Sequence, residues 1–122
     1  MPYTPGDHLV AFRFTYTHHG LYVGQGKVIH YLRAGVTEAS VDEFAAKMPI
    51  RVRDHEQRAY SRSMAVRRAY ARLHECEYNL VFNNCEHFVL WCIDGAHRSR
   101  QVEKVARTLD ALLAAYRKKK SI

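Results

Sequence analysis

The 122-residue sequence has no uninterrupted apolar run of the roughly 18 residues that a membrane-spanning helix requires. The expected protein is therefore water-soluble, resting at most on a membrane surface. Cysteine is sparse and odd in number, three in all, and "MPYTPGDHL" has neither the basic start nor the apolar stretch of a secretory signal. Reduced thiols in the cytoplasm are the expectation. Internal repeats and low-complexity linkers are also missing, so one domain over 1–122 is expected, long enough to build a core without staples. Acidic residues are in deficit: 12 against 19 basic ones give a net charge of +7. Much of the excess falls in "RVRDHEQRAYSRSMAVRRAYARLH" and in Arg117-Lys118-Lys119-Lys120, which read as solvated helix faces and ends. No nucleic-acid partner is expected, although an anionic membrane would suit the basic tail.

What is present reads as strands first and helices after. "HLVAFRFTY" is β-branched and aromatic, as strands are, and "THHGLYVGQGKVIHYL" gives two short strands around Gly24-Gln25-Gly26. Ser40 and Glu43 form a capping-box pattern, so a short helix starts there and ends by Pro49, with "IRVRDH" as a further strand. "SRSMAVRRAYARLHE" places Val66, Ala69, Tyr70 and Leu73 at helical spacing. "YNLVF" approaches a second buried helix, "CEHFVLWCI", capped by Asn84 and stopped near Gly95. A last amphipathic helix over 99–120 carries an apolar stripe from Val102 to Tyr116. The fold class is α+β, a small antiparallel sheet with helices packed on one side.

A three-residue loop at Gly24-Gln25-Gly26 makes cross-strand partners sum to 50. Gly20 then faces His30, and His18 lies diagonal to His30 on the same face, while His19 points away. A two-residue loop would separate His18 from His30. Gly20 is expected to leave open space beside the two rings.

Cys85 sits behind Asn83-Asn84 and ahead of Glu86-His87, unlike Cys92 in the apolar "VLWCI", which reads as core; Cys76 reads as a loop or helix-end thiol. At a helix start, free N–H groups and the dipole favour a thiolate, so a lowered thiol pKa is expected. His18 could take its proton and His30 could fix the His18 ring. Asn84, Gly20 and Tyr22 are expected as near-site support. Glu86 and His87 point elsewhere on the helix, and His8, His55, His74 and His97 attract no functional claim.

The strings "FRFTYTHHGLYVGQGKVIH" and "NNCEHF" together resemble the lecithin:retinol acyltransferase family, over about 5–32 and 78–95. The resemblance implies a circularly permuted papain-like fold with Cys85 as nucleophile, His18 as base and His30 as the orienting residue. His19 stands where many relatives have tryptophan, and Gly20 where alanine is common. The implied activity is acyl transfer or phospholipase-type hydrolysis through a thioester, with a phospholipid or other ester as acyl donor and no cofactor or metal. Two alternatives stay open: a thiol amidase or peptidase, and a non-catalytic interaction or metal-binding module that would use His18, His30 and Cys85 as ligands.

Overall fold

The computed structural model describes residues 2–76, 84–95 and 112–116. The "YNLVF" approach and most of the expected last helix lie outside the described residues; 112–116 are helical. The elements run β1 (His8–Arg13), β2 (Tyr16–Gly24), β3 (Lys27–Leu32), β4 (Gly35–Ser40), α1 (Val41–Ala45), β5 (Ile50–Arg53), α2 (Arg62–Ala71) and α3 (Asn84–Asp94). The strands make one antiparallel sheet in the order β4-β3-β2-β1-β5.

Three strand assignments differ from the sequence reading. "HLVAFRFTY" is not one strand: β1 ends at Arg13, and Tyr16 begins β2 opposite it. Residues 35–40 form β4, whose "GVTEAS" has weak strand propensity and is held by pairing to β3 from Lys27↔Ser40 to Leu32↔Gly35. At the hairpin tip Gly24 pairs with Lys27, so the loop has two residues, Gln25 (φ 52°) and Gly26 (φ 73°). Both left-handed φ values match a type I′ turn. A bulge at Val23 absorbs the extra residue, and the pairs Tyr22↔Val28 and Gly20↔His30 keep the sum of 50. The face assignment therefore survives a wrong loop length.

The capping box at α1 is present: Glu43 N–H donates to Ser40 Oγ at 3.1 Å and Ser40 N–H to Glu43 Oε1 at 3.2 Å. The helix ends at a left-handed Ala46 (φ 50°), before Pro49 is reached. In α2 the buried positions are Ala65 and Ala69, while Tyr70 is exposed and donates to Glu38 Oε2 at 2.7 Å. Arg68 ties α2 to α3, its guanidinium 3.7 Å from the Trp91 ring centroid and donating to the Trp91 carbonyl at 2.8 Å.

Helices cover both faces of the sheet, and the one-sided expectation is corrected. Side chains alternate along β2. Leu21, with Ile29, Tyr31 and Val36, packs beneath α2 and α3 against Phe88, Val89, Cys92 and Ile93. Tyr22, with Leu9, Ala11 and Val28, encloses Phe44 of α1 on the other face. Burying that phenyl ring contributes about 2–3 kcal/mol.

Candidate active site

His18 and His30 come from adjacent strands and meet on the Phe44 face. His18 Nε2 lies 2.9 Å from His30 Nδ1, and the rings stand edge to face with centroids 5.1 Å apart. The Phe44 ring lies 5.2 Å from that of His18 and 5.8 Å from that of His30. Gly20 is what admits it. A Cβ there would lie 2.5 Å from Val28 Cγ1 and 2.9 Å from Phe44 Cε1. The space expected to stay open beside the histidines is filled by phenylalanine. Tyr22 is a hairpin residue, its hydroxyl accepting the Gly26 N–H at 3.0 Å.

Cys85 packs from the opposite side, in the cluster of Leu21, Ile29 and Tyr31. The sheet reaches the sulfur with backbone, at a fork between two strands. Tyr22 N–H donates to the Asp7 carbonyl, on the β1 side, so even-numbered residues of β2 bond toward β1 and odd-numbered ones toward β3. The β2–β3 ladder stops at Gly20↔His30, although β2 continues to Tyr16 and β3 to Leu32. The His19 N–H thus points into the gap between diverging strands, and it meets the Cys85 sulfur there. The N–H groups of Cys85 and Glu86, at the start of α3, also face the sulfur. Asn84 is the first residue of α3 itself, buried beside Cys85, where the sequence reading had it as the cap before the helix. The preceding residue lies outside the described residues.

The electrostatics correct one expectation. Burial pushes the Cys85 thiol up to about 11, against the pull of those three N–H groups. The helix start favours the thiolate, but loss of water outweighs it. Burial, then the neighbouring His30, Arg13 and His19, hold His18 down at about 3. Burial and Arg13 lower His30 to about 4, with Glu43 opposing. At neutral pH the resting site is a neutral thiol and neutral imidazoles, with no thiolate–imidazolium pair. The two ring nitrogens of His18 differ: Nε2 is engaged by His30, and Nδ1 has no hydrogen-bond partner among the described residues. His30 Nε2 is buried and likewise has none among them.

The residues that sequence reasoning passed over stand on the cysteine side. His55 Nε2 lies 2.8 Å from His8 Nδ1, His8 Nε2 lies 2.7 Å from His19 Nδ1, and His19 Nε2 lies 3.0 Å from Thr17 Oγ1. Glu86 joins this column, with Oε2 3.1 Å from Arg53 Nη1 and 3.7 Å from His19 Nε2. Both nitrogens of His19 are therefore occupied. The pairing Val10↔His19 in adjacent strands was the available signal, with His8 two residues along the same face, but "HLV" read as plain strand. Among the described residues no group of three or more His, Cys, Asp or Glu side chains converges to hold a metal ion. Cys92 is buried core, its thiol raised to about 12 by burial, and Cys76 is exposed. Among the described residues no helix is long and apolar enough to cross a membrane.

Comparison with known proteins agrees with the strings around His18 and Cys85. The family described as Lecithin retinol acyltransferase matches residues 2–98. The chain is 28% identical to the rat protein named Lecithin retinol acyltransferase, over 88% of its own length and 62% of that protein's. It is 31% identical to human Phospholipase A and acyltransferase 4, over 91% of its own length and 85% of the relative's. A segment covering 25% of the chain is 52% identical to Protein LEAD-SENSITIVE 1 of Arabidopsis thaliana. The chain thus spans under two thirds of the lecithin retinol acyltransferases and most of the smaller human relative. It belongs to the lecithin retinol acyltransferase family.

Proposed function

We propose that the protein is a cysteine-dependent acyltransferase or acyl hydrolase that takes its acyl group from a lipid ester, through a thioester on Cys85. One observation carries the reading: the β2–β3 ladder ends at Gly20↔His30, and the Cys85 sulfur occupies the resulting gap against the His19 N–H, one residue from His18. The names of the relatives, acyltransferases and phospholipase A/acyltransferases, support the reaction class. A permuted papain-like order, with the strand histidines ahead of the helix cysteine, belongs to the same proposal.

His18 is the base and His19 is not, because both nitrogens of His19 are already bonded while His18 keeps Nδ1 open. With Nδ1 as acceptor, the His18 proton sits on Nε2 and is donated to His30 Nδ1, which fixes the ring and its tautomer. As the ester carbonyl approaches, the Cys85 S–H proton passes to His18 Nδ1 and the sulfur attacks the carbonyl carbon. The oxyanion is held by backbone N–H groups at the start of α3 and at His19. The ester C–O bond then breaks, the proton on Nδ1 goes to the departing alkoxide, and the acyl group stays on sulfur. Water or a second acceptor repeats the sequence in reverse. Because the thiol rests neutral, charge separates only as the proton moves to His18, with the ester carbonyl already in place. The reading includes a reducing, cytoplasmic setting with peripheral attachment to membranes.

The test is intact-mass analysis after incubation with a phospholipid. Wild type and His19→Gln gain one acyl mass, and Cys85→Ala and His18→Ala do not. An adduct on Cys85→Ala ends the assignment.

A further inference from the structure

We infer that the end of the sheet carrying the β1–β2 and β3–β4 turns is a docking surface for an anionic lipid membrane. The inference deepens the proposed function by naming the surface from which the acyl donor arrives. β2 and β3 diverge toward this end, so the gap holding the Cys85 sulfur opens toward it.

Its side chains are unlike an ordinary solvated edge. Phe14 is 87% exposed at the tip of the β1–β2 turn, Tyr16 58% and Phe12 45%, and Leu32 is exposed at the neighbouring β3–β4 turn. Phe12 and Phe14 contact each other edge to face, with centroids 6.0 Å apart. An apolar hollow of about 310 Å³, lined by Val10, Phe12, Thr17, Pro49 and Arg51, lies beside the aromatic tip on the face of the sheet that carries His19. Exposed aromatic residues grouped in this way mark contact surfaces.

The charge selects the partner. Arg33, Lys47 and Arg51 are exposed around the aromatic tip, and residues 12–17, 32–34 and 46–51 contain no aspartate or glutamate. The acidic residues Asp54, Glu56 and Asp94 instead line a hollow toward the other end of β5. A rim of aromatics among cations, with Glu75 beside the β3–β4 turn tied up by Arg72 and a cluster of anions at the far end, orients the molecule on a negatively charged lipid surface: rings enter the headgroup layer and cations pair with phosphates.

Co-sedimentation with phosphatidylcholine vesicles, with and without phosphatidylserine, tests this on the full chain. The wild type is expected to bind the phosphatidylserine vesicles. Phe14→Ser/Tyr16→Ser and, separately, Arg33→Glu/Lys47→Glu should each weaken binding by at least about tenfold, with thermal melts confirming that they fold. Lys118→Ala/Lys119→Ala/Lys120→Ala should weaken binding less than either rim variant. Rim variants that sediment like the wild type, binding lost only with the lysine tail, or a wild type that does not bind would each overturn the surface. Acyl-adduct formation is read in parallel on a monomeric short-chain ester, where the rim variants should match the wild type. Rim-dependent vesicle binding with no adduct on any ester would end the proposed function and leave the docking surface standing.

Discussion

Three buried imidazoles make the fold sensitive to acid, and the size of the effect follows from their environments. Burial and neighbouring cations hold His18 and His19 at about 3 and His30 at about 4, against 6.5 for an unperturbed ring. The unfolded chain therefore binds more protons than the folded one over the window from about 6.5 down to 3. Stability from these rings is complete above pH 6.5, falls as the pH drops through that window, and levels off below the folded values. At pH 5 each ring left neutral by folding costs about 2 kcal/mol, and three independent rings cost up to about 6 kcal/mol. A domain of this size has roughly 5–15 kcal/mol in total. Urea unfolding followed by circular dichroism at pH 7, 6 and 5 should show the free energy of unfolding dropping steeply, with acid unfolding between about pH 4 and 5. His19→Gln should reduce the slope by about a third. Stability that stays within about 1 kcal/mol between pH 7 and pH 5 would refute the reasoning, since the rings would then titrate freely in the fold.

Other consequences can be checked separately. Iodoacetamide should alkylate Cys85 slowly at pH 7 and faster as the pH rises past 9, because burial pushes the thiol up to about 11; a rate already at its plateau near pH 7 would mean a resting thiolate. Gly20→Ala should cost about 1–3 kcal/mol by overpacking, since its Cβ would lie 2.5 Å from Val28 Cγ1. Adding Val28→Ala should recover part of that loss in thermal melts, and no recovery would place the strain elsewhere. Arg53→Met takes away the cation 3.1 Å from the buried Glu86 carboxylate and should destabilise by about 1–3 kcal/mol. The double variant with Glu86→Gln should be less affected than the sum of the two single changes, and simple additivity in urea unfolding would argue against a coupled pair.

Part of this was legible in the chain because it depends on local periodicity. Alternation along strands put His18 and His30 on one face whichever residues close the hairpin, provided the register near Gly20 sums to 50, and the bulge at Val23 supplied that sum. Ser40 and Glu43 form a cap within four residues, and Cys92 lies in an apolar run; no distant partner is needed to read either. Other features arise only when segments far apart in sequence are brought together. β4 has little intrinsic propensity and is a strand because β3 offers it unpaired backbone groups. Gly20 looked like room for histidines until Phe44, 24 positions later, filled that room. The column from His55 through His8 to His19 spans three strand-and-loop segments whose histidines carry no common spacing. The thiol's direction of shift was also decided by tertiary structure. A helix start can be read from sequence and favours the anion, but how much water is lost around a sulfur depends on everything that packs over it, and here that loss overrides the pull of the helix.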